Sequence, residues 1–507
     1  MDIFSRLPSL VLNNVLGQIQ DDRDLLNLIS ASPESLRIYN LYRYSIMRQR
    51  LVNILDLDID GTMLQDAQLI MCFPSIDGPE VSFGAISECL DSWDAQSFPN
   101  PVTQQSNQES VTGLYHFFKR LVVFIEDYLS KSLDPFTARA CMTLPTIGRI
   151  VPTAQFKGQE TDIQPVVFGS MEKSIKRHLL KAFLRFELRC KVYHPRVWSH
   201  LEGTTYADMI NKSNEKLGLN DYEELYCVFE YLKGLYGAIF AHCRQDSWFP
   251  ERSVSKTNVP GRRANNDEGV LLSAKNYGLL FSDDQYFDME KEVFLGLLEL
   301  EGLPCLGLDS LSAILRSPEL INTKGCRMTH WVGGLAQQPD SSWILSQHFT
   351  LHHDLYVSRT RIDQWKWWME SRNQSSRHGI SVGPRIDIHQ QKQQLHLQNL
   401  QSAIYRQRAW IFFTNSSTHQ PCLPSWDHLA TQRELVSDVV GLGHHQLRRR
   451  SQKWQDYWAG RSLDDPLEAD SSHVQDEEDS GELKDVQFIP PAIPRFFEIH
   501  GGMIWQG

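Results

Sequence analysis

Histidine and cysteine side chains are the residues of this chain whose types and spacing could support chemistry. His348 and His352 lie four residues apart, so that on a helix they would share a face, and Asp354 follows them. Imidazoles in this arrangement can bind Zn²⁺, but no third ligand is evident and the glutamate of a zinc-peptidase motif is missing. The pattern therefore favours a solvated or hydrogen-bonded histidine group over a metal centre.

Two other groups place a thiol beside an imidazole: Cys190 with His194, and His242 with Cys243. A thiolate activated by a general base would be a nucleophile. Both cysteines fall on apolar helical stripes, however, where a free cysteine usually acts as a small buried hydrophobe. The sequence thus predicts no catalytic residue, no cofactor and no metal, and a protein that is not an enzyme.

The densest aromatic region contains Trp331, Trp343, Trp365, Trp367 and Trp368. Tryptophan is enriched at the centres of binding interfaces, so the region could form a recognition surface. It is also a residue that is highly buried on average. We favour core packing over recognition for this region.

The elements that must hold these residues are mainly helices, since apolar residues recur every three or four positions. The first stripe contains Ile175, Leu179, Phe183, Phe186, Cys190 and Tyr193, and the second contains Leu225, Phe229, Leu232, Tyr236, Ile239 and Cys243. We expect these two helices to pack on each other. Arg185 and Arg189 should pair with carboxylates of a neighbouring helix, and Asp221 with Glu224 predicts a capping box.

Further helices are predicted at 41–55, 114–133, 270–280, 285–301, 308–316 and 400–413. Residues 141–170 are rich in proline and glycine and are expected to be irregular. Short strands are predicted only near 345–357 and 486–489. The fold class is therefore mainly α.

Composition places the chain among soluble globular proteins, with 41% hydrophobic and 22% charged residues. The net charge of -12 argues against nucleic acid as a partner. Nine scattered cysteines favour a reducing interior, hence the cytoplasm or the nucleus. The start lacks the pattern of a signal peptide and no apolar run is long enough to span a bilayer, so we expect no membrane contact.

The N-terminal segment predicts three short helices. Leu7 and Pro8 open the first helix, and Val11, Leu12, Val15, Leu16 and Ile19 repeat at helical spacing. A second apolar helix spans 25–29, and Ser32-Pro33 begins a third with an N-cap and a proline at the first helical position. So small a unit has too little core of its own. A partner, or the rest of the chain, must cover the remaining apolar surface.

This segment resembles an F-box. The family pattern is a Leu-Pro start, a helix of apolar pairs, an Asp-Leu-Leu step and a third helix that ends in an aromatic residue. Here these positions are Leu7-Pro8, Val11-Leu12, Val15-Leu16, Ile19, Asp24-Leu25-Leu26 and Tyr39. Leu10 stands where the family usually has glutamate, and the link before the Asp-Leu step is one residue longer than usual.

Two internal segments are similar to blocks of a large group of fungal F-box-like proteins. The first block is carried by Arg185, Phe186, Glu187, Leu188 and Cys190, and the second by Glu224, Leu225, Cys227, Val228, Tyr231 and Leu232. The resemblance covers about half of the chain, in separate segments. It implies a three-helix F-box-like module followed by a large, irregular helical body.

The resemblance also implies a function, that of a non-catalytic substrate adaptor of an SCF-type (Skp-cullin-F-box) ubiquitin ligase. The module would dock on the Skp-type adaptor, and the body would present an unidentified protein substrate. The implied contact residues are Leu7, Pro8, Val11, Leu12, Val15, Leu16, Ile19, Leu25, Leu28, Ile29 and Pro33. The alternative is an F-box-derived scaffold for protein interactions without a ligase, which Leu10 favours.

The sequence further suggests a division into six regions. These are the module (1–50), the helical body (51–370), a polar Gln/His-rich linker (371–399), a C-terminal helical segment (400–463), an acidic disordered segment (464–485) and a C-terminal tail (486–507). The acidic segment is expected to be disordered because charge is dense and apolar residues are few.

Overall fold

A computed structural model describes residues 2–19, 21–73, 82–103, 108–134, 140–147, 153–243, 303–317 and 406–413, and the backbone of 495–499 and 502–506. The predicted mainly α fold is confirmed, since these residues are mostly helical. No helix among them is both long and apolar enough to cross a membrane. The histidines and tryptophans of 331–368, the predicted helices 270–280 and 285–301, the predicted strands, the linker and the acidic segment lie outside the described residues.

The three predicted N-terminal helices are present. A short 3-10 helix (Ile3–Arg6) precedes α1 (Ser9–Gln18), α2 (Asp22–Ala31) and α3 (Pro33–Leu55). Ser32 caps α3 through its hydroxyl, as predicted, and Pro33 occupies the first turn. The backbone of α3 is non-helical at Tyr42, yet the helix continues to Leu55, which confirms the helix predicted over 41–55.

The helices of the body follow in chain order. They are α4 (Thr62–Cys72), α5 (Phe83–Asp94), α6 (Gln108–Leu133), α7 (Lys173–Val192), α8 (Pro195–Leu201), α9 (Thr205–Glu215), α10 (Leu219–Cys243), α11 (Gly307–Arg316) and α12 (Trp410–Phe413). Short 3-10 helices occupy Phe168–Ser170 and Leu303–Leu306. The predicted helices 114–133 and 308–316 are confirmed in α6 and α11, and α12 lies at the end of the helix predicted over 400–413.

The two apolar stripes form the centre of the body, and α7 packs on α10 as predicted. Every residue of the first stripe is buried. In α10, burial extends nearly all round the helix, because α7, the 3-10 helix Leu303–Leu306 and α12 all pack against it. Only Phe229 of the described stripe residues is half-buried. The helix α10 is therefore buried over more of its circumference than its single apolar stripe predicted.

The start of α10 differs from the predicted capping box. The helix begins at Leu219, and the Asp221 carboxylate accepts a hydrogen bond from the Gly218 N–H at 2.7 Å. Asp221 thus reaches back from the third helical position, while Glu224 lies too far into the helix to cap it. Glu224 instead pairs with His178 of α7, with 2.8 Å between Oε1 and Nδ1.

Two small sheets complete the described structure. Within the region 141–170, expected to be irregular, β1 (Leu144–Pro145), β2 (Ala154–Phe156) and β3 (Gln159–Glu160) form an antiparallel sheet. Pro145 is tolerated because β1 is an edge strand. A second sheet is the antiparallel hairpin of β4 (Arg495–Ile499) and β5 (Gly502–Gln506), in which Ile499 opposes Gly502.

Candidate protein-docking surface

The N-terminal module has a small core of its own. Leu12 and Leu16 of α1, Leu25 of α2, and Ile38 and Ile46 of α3 are all buried and form one cluster. This cluster is separate from the main core, which begins in α3 at Leu51 and continues through the body. The helix α3 therefore serves both cores, the module with its first half and the body with its second.

A carboxylate from the start of the chain closes the module. Asp2 accepts a hydrogen bond from the Phe4 N–H at 2.9 Å, and it accepts from the Ser32 hydroxyl at 2.7 Å and the Glu34 N–H at 3.1 Å. The Ser32 hydroxyl in turn accepts from the Ser35 N–H. These donors, the Ser32 hydroxyl first, hold the pKa of Asp2 below its usual range. The same carboxylate thus caps the 3-10 helix and the N-terminus of α3.

The helix α1 lies parallel to α3. Asn13 approaches Ser45, and a Cβ at Gly17 would lie 3.2 Å from Gln49, so both partners advance along the chain together. Gly17 therefore permits the close approach of the two helices. The pairing fixes which side of α1 faces inwards and which side faces away.

A buried arginine joins the module to the body. Arg50 Nε donates to the Ile19 carbonyl at 3.1 Å, just beyond the end of α1, and Nη1 donates to the Tyr115 hydroxyl of α6 at 3.0 Å. Arg50 is only 7% exposed. Since a buried guanidinium is costly without partners, these bonds fix the end of α1 against α6.

The outward side of α1 carries a row of exposed apolar side chains. Leu7 is 38% exposed, Leu10 69%, Val11 45% and Val15 41%, whereas Leu12 and Leu16 are fully buried. At about 100° per residue, Leu10, Val11 and Val15 span an arc of about 140°, and the buried pair occupies the adjoining arc. We call Leu7, Leu10, Val11 and Val15 the α1 face. The apolar residues of α1 thus divide into a buried pair, Leu12 and Leu16, and a neighbouring exposed group.

The residues expected to contact an adaptor fall into three groups in this structure. Leu7, Pro8, Val11, Val15 and Pro33 are exposed; Ile19, Leu28 and Ile29 are half-buried; and Leu12, Leu16 and Leu25 lie in the core of the module. Only the first group is fully available to a partner. Leu10 is also exposed and enlarges the apolar surface of α1.

Cys190 and His242, one member of each thiol–imidazole pair, are both buried. Cys190 is 3% exposed, and burial raises the pKa of its thiol well above the usual value. His242 Nδ1 accepts from the Lys157 N–H at 3.2 Å, and Nε2 lies 3.0 Å from the Met142 carbonyl. Burial lowers the pKa of His242 to about 4, so that the neutral ring fixes the β1–β2 region to α10. This arrangement favours a structural role for both residues.

The arginines of α7 meet polar groups of neighbouring helices. Arg185 pairs with Asp221 of α10 at 3.4 Å, as predicted. Arg189 donates to an amide oxygen, Asn214 Oδ1 in α9, at 2.9 Å. Within the described part of the chain, no cluster of three histidine, cysteine or acidic side chains could hold a metal ion.

Sequence reasoning missed Asp2 and Arg50, which organise the surface. Asp2 is followed by the apolar Ile3 and Phe4, so a helix cap was recognisable there. The second helix that Asp2 caps, α3, starts about thirty residues later, and no local pattern connects the two. In the sequence, Arg50 is one charged residue among several in a helix, and nothing marks it out.

Searches of protein-family models, of curated proteins and of solved structures found no match for the chain.

Proposed function

We propose that this protein is a non-catalytic adaptor of an SCF-type ubiquitin ligase and that the α1 face docks on the Skp-type adaptor. The observation that carries the proposal is the exposure of Leu7, Leu10, Val11 and Val15 on a helix whose other side is fully packed. The resemblance of residues 7–39 to an F-box supplies the identity of the partner. The body then presents the protein substrate, and ubiquitin transfer takes place on other subunits.

The physical argument rests on desolvation. Each apolar side chain that a partner buries fully contributes roughly 1.5–3 kcal/mol, and the side chains of the α1 face still have much of that area to lose. The module can present this face without unfolding, because Leu12 and Leu16 hold α1 against α3 whether or not a partner is bound.

The test is co-purification of the full chain with a purified Skp-type adaptor. We expect the triple variant Leu10→Ser/Val11→Ser/Val15→Ser to lose binding by at least about 100-fold, since three apolar contacts would be removed. Ile59→Ser is a matched control, because Ile59 is 79% exposed but lies between α3 and α4. It should bind like the wild type.

Helix content must be unchanged in both variants, as measured by circular dichroism, so that loss of binding reports on the surface. Leu12→Ala is unsuitable as a docking variant, because Leu12 is fully buried and its loss would disturb the module. Equal recovery of the adaptor with the wild type and the triple variant, or no recovery with either, would contradict the docking proposal.

The second candidate is a scaffold that kept the module and lost the ligase. Leu10 favours it, because an apolar residue stands in the α1 face where the F-box pattern usually has glutamate. A Leu10→Glu variant separates the two candidates. If the α1 face docks on the Skp-type adaptor, Leu10→Glu should weaken that binding, because it removes one of the apolar contacts. If the protein is a scaffold, the wild type should already fail to bind the adaptor and Leu10→Glu should weaken only other partners.

A further inference from the structure

A group of aromatic side chains lies at the surface where α5 meets α8 and α9. The side chain of Phe83, at the start of α5, is 40% exposed. The centroid of its ring lies 6.5 Å from that of His200 in α8 and 6.2 Å from that of Tyr206 in α9. His200 is exposed and Tyr206 is half-buried. Three helices thus bring three rings together at a position that solvent can reach.

Two carboxylates of α5 lie on the same side of that helix as Phe83. At about 100° per residue, Phe83, Asp91 and Asp94 fall within an arc of about 80°. Asp91 and Asp94 are exposed, whereas Ile86 and Leu90, on the adjoining arc, are buried. We define the aromatic–acidic surface as Phe83, Asp91, Asp94, His200 and Tyr206.

A hydrogen bond holds one of these carboxylates beside a ring. The Tyr206 hydroxyl donates to Asp91 Oδ2 at 3.1 Å, which leaves Oδ1 of the same carboxylate to accept from a ligand. Among the described residues, no lysine or arginine forms an ion pair with Asp91 or Asp94. The aromatic–acidic surface therefore places negative charge at the edge of an aromatic ring, and no cation in the described part of the chain neutralises it.

This combination is complementary to arginine. A guanidinium can stack on an aromatic ring and can also donate to a carboxylate through its planar fork of N–H groups. A lysine ammonium is a compact charge without such a fork. Nucleic acid and anionic membrane surfaces would be repelled by the two carboxylates, in keeping with the net charge of -12.

We propose that the aromatic–acidic surface binds an arginine-containing segment of a partner protein. The inference rests on the proposed function in one respect, namely that this partner is the substrate that the body presents. The guanidinium lies against the Tyr206 ring and donates to Asp91 Oδ1. Asp94, one turn further along α5, attracts the same charge, and Phe83 packs against the methylene groups of the arginine side chain.

The test measures the binding of fluorescein-labelled peptides to the full chain by fluorescence anisotropy. The probe contains four Arg-Gly repeats, and a peptide of four Lys-Gly repeats has the same charge. We expect the arginine peptide to bind at least about fivefold more tightly, because only the guanidinium both stacks and forks. Equal affinity for the two peptides, or no binding of either, would overturn the proposal.

A double variant shows whether the aromatic–acidic surface is the binding site. Asp91→Asn/Asp94→Asn removes both charges and keeps an oxygen that can accept from the Tyr206 hydroxyl. It should weaken binding of the arginine peptide at least about fivefold, because two ion pairs are lost. The matched control, Asp56→Asn/Glu109→Gln, removes two exposed charges elsewhere and should bind like the wild type. Equal losses in the two double variants would show a general effect of net charge and would contradict the proposed site.

Co-purification of the Skp-type adaptor separates this inference from the proposed function. Asp91→Asn/Asp94→Asn should recover the adaptor like the wild type, because neither residue belongs to the α1 face. A wild type that binds the arginine peptide but no adaptor would contradict the proposed function alone. A wild type that binds the adaptor but not the arginine peptide would contradict this inference alone.

Discussion

The N-terminal module and the helical body differ in how much apolar surface they bury and in whether they bury charged groups. The module buries a few apolar residues and leaves the α1 face exposed, and Asp2 and Ser32 make polar contacts at its helix ends. The body encloses a large core and also takes charged groups inside it. The difference shows that the module is organised around a surface, whereas the body is organised around its interior.

The charged groups of the body join segments that are far apart in the chain. Arg406 forms a double hydrogen bond with Glu223 of α10, with both distances 3.1 Å. Glu187 of α7 accepts from the Leu308 N–H at 2.5 Å, and so it caps the start of α11. Residues 303–317 and 406–413 are thereby held against α6, α7 and α10. Removing one partner of such a pair should be destabilising, because an unpaired buried charge is costly.

The largest expected loss of stability comes from a cavity in the core of the body. Phe183 is fully buried and packs beside Tyr128 and Tyr231, with ring centroids 6.2 and 6.0 Å away. Phe183→Ala should lower the free energy of unfolding by about 3–5 kcal/mol, because it leaves a cavity among rigid rings. Urea unfolding followed by tryptophan fluorescence measures this. Phe183→Leu should cost much less, and equal losses in the two variants would show that the core is not tightly packed there.

A matching change in the module should act locally. Leu16→Ala removes a fully buried side chain from the small cluster and should cost about 2–5 kcal/mol. Because this core is separate from that of the body, hydrogen exchange should accelerate in α1 and α2 and stay slow in α10. Val15→Ala, at a 41% exposed position, is the control. Equally faster exchange in α10 would mean that the two cores unfold together.

The buried carboxylate of the body should give a pH dependence in a range where Asp2 of the module gives none, because the pKa of Asp2 is lowered and that of Glu187 is raised. Burial, and then the Asp309 carboxylate, raise the pKa of Glu187 to about 7. The folded state therefore holds more protons than the unfolded state between about pH 4.5 and 7, so this contribution to stability falls as the pH rises through that window.

Glu187→Gln should remove up to about one proton of this linkage, while Glu88→Gln at an exposed position of α5 should leave it unchanged. Urea unfolding at pH 5, 6 and 7 measures the slope for each protein. An identical slope for the wild type and Glu187→Gln would show that Glu187 keeps its charge in the folded state.

The smallest effect concerns the cap shared by the 3-10 helix and α3. Ser32→Ala removes the acceptor of the Ser35 N–H and a donor to Asp2 and should cost about 1 kcal/mol. Ser45→Ala in the middle of α3 should change stability by less than about 0.5 kcal/mol. Thermal unfolding of the module, followed by hydrogen exchange of α3, distinguishes the two variants. A cost at Ser45 equal to that at Ser32 would contradict the capping role.

The sequence by itself determined most of the helices of the described residues. The stripes of α7 and α10, the Ser32 cap and the continuation of α3 to Leu55 were readable because helical periodicity and caps depend on residues within one or two turns. The short sheet at 144–160 was missed, because such brief strands are stabilised by their partners rather than by their own pattern.

Only the tertiary structure decided which apolar residues are covered. Val11 and Leu12 are adjacent and similar in character, yet Val11 is 45% exposed and Leu12 is fully buried. Asp2 finds its partners thirty residues later, and Arg406 finds Glu223 at a separation of 183 residues. Local sequence fixes the period of a helix, but burial and charge pairing depend on neighbours that folding brings from distant parts of the chain.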